Sequence, residues 1–204
     1  MSSGAGWGRG AWRAAAASLL RRLLAPRMLY GVRHPDGRWL AHSRIGSSTH
    51  VEGWPKLDLG DHVFIGHFNL IDASCGLRIG QGTQITSHVC VLTHSSHVSL
   101  RLHGEQYFGH ADPVGYERGA ITIGPCCFIG PHSVLAPGTR LGKGVLVRAH
   151  SYVRGEVPDF AIVQGQPAQV VGDTRHTDAT WLAQHPELAE HYQRWAGELP
   201  ANKP

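Results

Sequence analysis

The sequence predicts an all-β solenoid, a parallel β-helix of hexapeptide repeats, and three observations point there. From Leu57 to Gly172 an aliphatic residue returns at every sixth position, most cleanly at Ile123, Ile129, Leu135, Leu141, Val147 and Val153. Between these positions stand residues that suit corners, such as Gly124, Gly130 and Gly142 in second place and Ser133, Thr139 and Ser151 in fifth. Neither competing period fits, because a helix needs apolar residues at alternating three and four and a simple sheet needs them at two.

A period of six suits three short strands and three corners in each coil of eighteen residues, with coils stacked about 4.8 Å apart. The first residue of each hexad then points inward and stacks on its counterpart one coil away, so the aliphatic column is the core. Hexads begin at Leu59, Ile65 and Ile71; Leu77 and Arg78 are two extra residues; and Ile79, Ile85 and Val91 restore the period. The pattern fails after Val91 and resumes at Ile123.

The flanks follow other rules. Residues 11–25 are strong helix formers with Trp12, Ala16, Leu19, Leu20, Leu23 and Leu24 mainly along one side, and Pro26 ends them. Such a helix either packs on the body or on a neighbouring subunit, or turns its arginines to anionic lipid as a peripheral membrane contact. Residues 31–56 read as lead-in strands that cap the first coil. Residues 178–197 read as one helix with Trp181, Leu182, His185, Leu188, Ala189, Tyr192 and Trp195 on a broad face that docks on the β-helix or on a partner chain. The expected organisation is therefore a helix and cap over 1–56, the β-helix over 57–172 with an extruded loop at 94–119, and a helical extension over 173–204.

Composition narrows the function. The 204 residues carry a formal charge of +4, and Arg9, Arg13, Arg21, Arg22, Arg27 and Arg33 all precede Asp36, the first acidic residue. Basicity is concentrated in that arm, and the positive charge forms no aromatic-interleaved patch of the kind that binds nucleic acid. No apolar run reaches the roughly 18 residues that span a bilayer, and no secretory segment precedes Leu19, so a cytoplasmic protein is expected, with any membrane contact at the inner face. Cys75 and Cys127 sit at the small fifth place of their hexads and read as structural thiols, and adjacent Cys126 and Cys127 lack the spacing of a zinc site.

Residues 94–119 have no sixfold spacing and are rich in His, Gly and polar groups, yet carry Leu100, Leu102, Tyr107, Phe108 and Tyr116. Loops of more than about 12 to 15 residues are usually functional or disordered, and this apolar content favours an ordered, functional one. Its imidazoles, His94 and His97, are the candidate general bases. Ser95 and Ser96 flank them, but no strained Gly-x-Ser-x-Gly elbow supports a covalent acyl-enzyme.

The hexads, the interruption Thr93-His94-Ser95-Ser96-His97 and the closing segment VPDFAIVQGQPAQVVG from Val157 to Gly172 together resemble the hexapeptide-repeat acyltransferases of the galactoside, maltose and colanic-acid acetyltransferase type. The resemblance covers about residues 57–172. It implies a left-handed coil, a homotrimer, and acetyl-CoA as cosubstrate in a cleft between adjacent subunits, with no metal. It also implies a histidine base, for which His97 matches the family text better than His94, taking a hydroxyl proton while the acceptor oxygen attacks the thioester. Glu105, in Gly104-Glu105-Gln106-Tyr107, resembles a Gly-Glu-Met-Tyr stretch and would orient that imidazole. The closing coils match cofactor-contact positions at Ala149, Arg154 and Gly155, where Arg154 replaces a Thr or Ser; Phe128 stands where several members have Trp, and Pro131 where a Ser contacts the pantetheine. Arg154 and Arg175 have the right chemistry for CoA phosphates.

The expected function is O-acetylation of a sugar hydroxyl on a surface-polysaccharide or lipopolysaccharide precursor. N-acetylation of an amino sugar and a noncatalytic β-helix scaffold are the alternatives. A related β-helix family, the gamma-class carbonic anhydrases, binds zinc between subunits through three His, two of them five apart. His62 and His67 have that separation, but no His lies near residues 26–31, so zinc is set aside.

Overall fold

The structure, a computed structural model, describes residues 7–199. The chain winds through three parallel sheets in strict rotation. Strands Trp39–Gly46, Phe64–Ile65, Gln84–Ile85, Phe128–Ile129, Leu146–Val147 and Ala161–Gly165 are successive neighbours on the first face. His50–Glu52, Leu70–Asp72, Cys90–Val91, Val134–Leu135 and Tyr152–Val153 form the second, and Leu57–Leu59, Leu77–Ile79, Ile121–Ile123, Arg140–Leu141 and Glu156–Val157 the third. Register places like on like: Ile65 pairs with Ile85, Ile85 with Ile129, Ile129 with Val147 and Val147 with Val163. All five are buried, as are their counterparts on the other two faces, so the predicted aliphatic column is the core.

The parallel ladder begins before Leu57, which corrects the expected boundary. Arg44 and Ile45 already pair with Phe64 and Ile65, and His50–Glu52 pairs with Leu70–Asp72. Ile45 and Val51 keep the sixfold spacing, but the two residues inserted before Leu59 break its phase, as Leu77 and Arg78 do one coil later. The cap proper is shorter: strand Met28–Arg33 folds back antiparallel on Trp39–Gly46. A second antiparallel strand, Ala168–Asp173, closes the other end against Ala161–Gly165.

Corners are crowded. A Cβ on Gly80 would come within 2.4 Å of Pro125 N, and one on Gly124 within 2.5 Å of the Gly142 carbonyl carbon, so these second-place glycines let one coil's backbone lie against the next. Thr83, Ser133, Thr139 and Ser151 are buried and donate their hydroxyls to corner carbonyls, as in Thr83 Oγ1 to Gly124 O at 2.8 Å and Ser151 Oγ to Arg148 O at 2.6 Å. Cys127 is buried with Sγ 3.0 Å from Gly142 O, and burial pushes its thiol up to about 12. Several corners hold a non-glycine residue in the left-handed region, and three of these, His88, His132 and His150, stack on Phe68 as a ring ladder with centroids 4.9 to 5.2 Å apart.

Helix α1 (Trp7–Leu24) matches its expected position, but Trp12, Leu19, Leu20, Leu23 and Leu24 are all exposed, so it is not packed on this chain's body. None of the described helices is long and apolar enough to cross a membrane. The excursion between the second and third faces is ordered: His94–Ser95 pairs antiparallel with Glu117–Arg118, and between them lies α2 (His97–His103). The C-terminal extension is two helices rather than one, α3 (Thr174–Gln184) and α4 (Ala189–Ala196). Pro186 forces the break, since it has no N–H and disfavours helical geometry at His185. Tyr192 and Ala196 dock on Phe160, with Leu182 and Trp195 beside them, while Trp181 and Leu188 stay exposed.

Candidate active site

The excursion leaves from the corner between the second and third faces, and that corner holds a buried polar cluster, Asp72 with Thr93. Strand Leu70–Asp72 delivers Asp72, only 2% exposed, beneath the point where the next coil reaches Thr93 and His94. Asp72 Oδ2 accepts from Thr93 N at 2.8 Å and Thr93 Oγ1 at 2.6 Å, and Oδ1 accepts from Ser74 N at 2.7 Å. Burial pushes the Asp72 carboxyl up, but the hydrogen bonds from Ser74 and Thr93 outweigh it and hold the group down at about 2. An ionised carboxylate therefore sits at the foot of the loop.

His94 Nδ1 lies 2.8 Å from Asp72 Oδ2 and 3.1 Å from Ser74 Oγ. The hydrogen bond of Nδ1 is with Ser74 Oγ, while the carboxylate in contact favours a proton on Nδ1, and in that tautomer Nε2 holds the lone pair that a general base needs. Tyr116, from the returning limb of the loop, stacks on the imidazole at 5.6 Å, and Arg118 lies over the far face of the site at 4.4 Å from the Tyr116 ring. Beside this group opens a cavity of about 420 Å³ walled by Ser74, Cys75, Tyr107, Phe108, His110 and Tyr116, among others.

His97 is elsewhere. It opens α2 as an exposed residue whose Nδ1 meets Ser95 Oγ at 2.8 Å. Glu105, in the turn after α2, is exposed and has no hydrogen bond or ion pair with His97 among the described residues. The structure thus couples His94, and not His97, to a buried carboxylate. The match to the family text favoured His97, but α2 starts at that residue and its ring meets Ser95 instead. Asp72 was missed, though a signal existed: it occupies the place after the aliphatic residue where Gly60, Gly66 and Gly80 stand in neighbouring hexads.

The expected cofactor residues divide between corners. Arg154 and Gly155 share the His94 corner, where Arg154 pairs with Glu117 at the loop's return and Gly155 O accepts from Arg140 N. Pro131 and Ala149 lie on the corner between the first and second faces, beside His132 and His150, and Phe128 projects half-exposed from the first face. Arg175 is farther off at the start of α3, engaged with Asp173 at 3.0 Å and lying 4.8 Å over Phe160. One chain does not bring all six together.

Residues 120–155 match the family described as bacterial transferase hexapeptide (six repeats). By class the chain is similar to the hexapeptide-repeat acyltransferases, whose repeat it carries over those residues. Among curated relatives, it is 28% identical over 149 residues to the putative lipopolysaccharide biosynthesis O-acetyl transferase WbbJ of Escherichia coli (strain K12), covering 68% of this chain and 71% of that one. It is 29% identical over 142 residues to the galactoside O-acetyltransferase of the same organism, covering 66% of this chain and 65% of the relative. Among solved structures, the acetyltransferase VCA0836 of Vibrio cholerae O1 biovar eltor, complexed with acetyl coenzyme A, superposes with a TM-score of 0.54 at 24% identity over 61% of this chain and 64% of that one, a likeness of fold.

Proposed function

We propose that this chain is an O-acetyltransferase that moves acetyl from acetyl-CoA to a sugar hydroxyl, with His94 as general base and Asp72 as its positioning residue. The observation that carries the reading is the 2.8 Å contact between His94 Nδ1 and a buried, ionised carboxylate, with Ser74 and Tyr116, which touch His94, lining the neighbouring cavity. In the reaction Nε2 takes the proton of the acceptor hydroxyl as its oxygen attacks the thioester carbonyl. The oxyanion collapses, the C–S bond breaks, and the CoA thiolate leaves with the proton returned from the imidazolium. Asp72 stabilises that imidazolium at the moment it forms, without taking the proton.

A sugar acceptor fits the aromatic walls of the cavity, since Tyr107, Phe108 and Tyr116 offer ring faces to a pyranose and the loop backbone offers polar groups. The names of WbbJ and the galactoside enzyme support the same substrate class. The division of the cofactor residues between corners supports a left-handed coil assembled as a homotrimer, with Pro131 and Ala149 of one copy facing Arg154 and Gly155 of the next across the acetyl-CoA cleft. The exposed apolar side of α1 supports a surface contact, either with a neighbouring copy or with a membrane carrying a lipid-linked acceptor.

The test is thiol release from acetyl-CoA against free, nucleotide-linked and lipid-linked sugars, with amino sugars included. Turnover on a hydroxyl acceptor that His94→Ala abolishes is the expected result. Turnover only on amines would move the assignment to N-acetylation, and no acetyl-CoA binding at millimolar concentration would leave a scaffold.

A further inference from the structure

A different corner carries a cluster unrelated to the His94 site. His42, on strand Trp39–Gly46, and His62, at the corner between the third and first faces, lie one coil apart with rings stacked at 4.5 Å and 14° between planes. Asp61 lies with them, and a ligating atom from each of the three residues falls within 4.8 Å of the others. We propose that His42, Asp61 and His62 form a surface site for a first-row transition dication of zinc type. The inference is independent of the acyltransferase reading.

The donor set fits. Asp61 Oδ1 is fixed by His42 N at 3.1 Å, His62 N at 2.8 Å and Ser43 Oγ at 3.0 Å, which orients the carboxylate and leaves Oδ2 free of those bonds. Two imidazoles and one carboxylate make the three-ligand set of an open zinc site, with solvent in the remaining position. Zinc bonds of about 2.0 to 2.2 Å put tetrahedral ligands roughly 3.3 Å apart, so the donors must close by about 1.5 Å at most. Both rings are on exposed residues and can make that movement by side-chain rotation.

The consequence of occupancy is also local. Residues 42 and 61–62 belong to adjacent coils, so a bound ion would staple the first coil to the second near the N-terminal cap. His62 also lines a separate cavity of about 380 Å³ with Gln81, Cys126, His191 and Trp195, which opens the site toward α4.

The experiment uses full-length, tag-free protein stripped with chelator and titrated with zinc against a chromophoric indicator, then with cobalt to read its visible bands. His62→Asn is the informative variant, because asparagine tolerates the φ of +60° that residue 62 adopts, so the fold is retained. His42→Asn is its partner, and His132→Asn, in the exposed ring ladder, is the control. The expected result is one zinc per chain, weakened at least about tenfold by either of the first two substitutions and unchanged by the third. Binding no tighter than about 100 µM, or binding that both His42→Asn and His62→Asn retain, overturns the site. Equal weakening by His132→Asn does so too.

Discussion

Asp72→Asn separates positioning from packing at the proposed base. The side chain is buried and its oxygens accept from Ser74 N, Thr93 N and Thr93 Oγ1, with His94 Nδ1 also in contact. An asparagine does least harm with its carbonyl in the Oδ2 place, where three of those four donors converge. Its NH2 group then opposes Ser74 N–H and leaves that donor unpaired, which costs about 1 to 3 kcal/mol. Holding the carboxyl at about 2 rather than 3.8 is worth on the order of 2 kcal/mol to the folded state above pH 4, and this overlaps the hydrogen-bond loss rather than adding to it. The expected destabilisation is therefore about 2 to 3 kcal/mol, or about 4 to 12 °C in Tm for a chain of this size, read by circular dichroism. The folded variant should lose about 10²-fold or more in kcat with KM for acetyl-CoA little changed, because the imidazole keeps a carbonyl oxygen at Nδ1 but loses the negative charge that stabilises its protonated form. A double-mutant cycle completes the assay: once His94 is alanine, Asp72→Asn should cost little further activity. A folded Asp72→Asn enzyme within threefold of the parent, or full additivity in the cycle, would refute the argument.

Other outcomes follow from the same geometry. His94→Ala should lower kcat by at least about 10²-fold and leave acetyl-CoA binding intact by calorimetry, whereas exposed His97→Ala should stay within about threefold. Because the Asp72 carboxyl is depressed, its stabilisation is present above pH 3.8 and fades as pH falls toward 2; Asp72→Asn should flatten that limb of the stability profile measured by urea unfolding. Ile129→Ala, which truncates a fully buried side chain between Ile85 and Val147, should cost about 2 to 5 kcal/mol by the same measurement. Gly124→Ala drives a methyl into the backbone of the next coil and should cost at least about 1 to 3 kcal/mol.

The coil was legible because its core is a one-dimensional pattern. Every rung repeats the same inward aliphatic residue, so Ile65, Ile85, Ile129 and Val147 announce their own stacking. The first coil was not read at its proper start, because two inserted residues before Leu59 shift the phase and hide Ile45 and Val51. The site was half legible for a related reason. The break in period exposed the loop and its two imidazoles, but choosing between them needed the coil-to-coil contact that sets Asp72 against His94, twenty-two positions later. The stacking of His42 on His62 was hidden likewise, since one lies on a lead-in strand and the other at a corner twenty positions later. Helix α3 was extended through Pro186 because the apolar face continues across it, although the ring cannot donate a hydrogen bond.

The excursion departs and returns through a two-rung antiparallel clasp, His94–Ser95 against Glu117–Arg118, with Gly119 N bonded back to Thr93 O at 2.9 Å. Entry and exit are therefore neighbours, and the frame is indifferent to how much chain lies between them. A replacement segment of different length can be grafted at that clasp without disturbing a single buried aliphatic side chain. Because His94 belongs to the clasp and Asp72 to the frame, such a graft exchanges the cavity walls and leaves the contact between His94 and Asp72 in position.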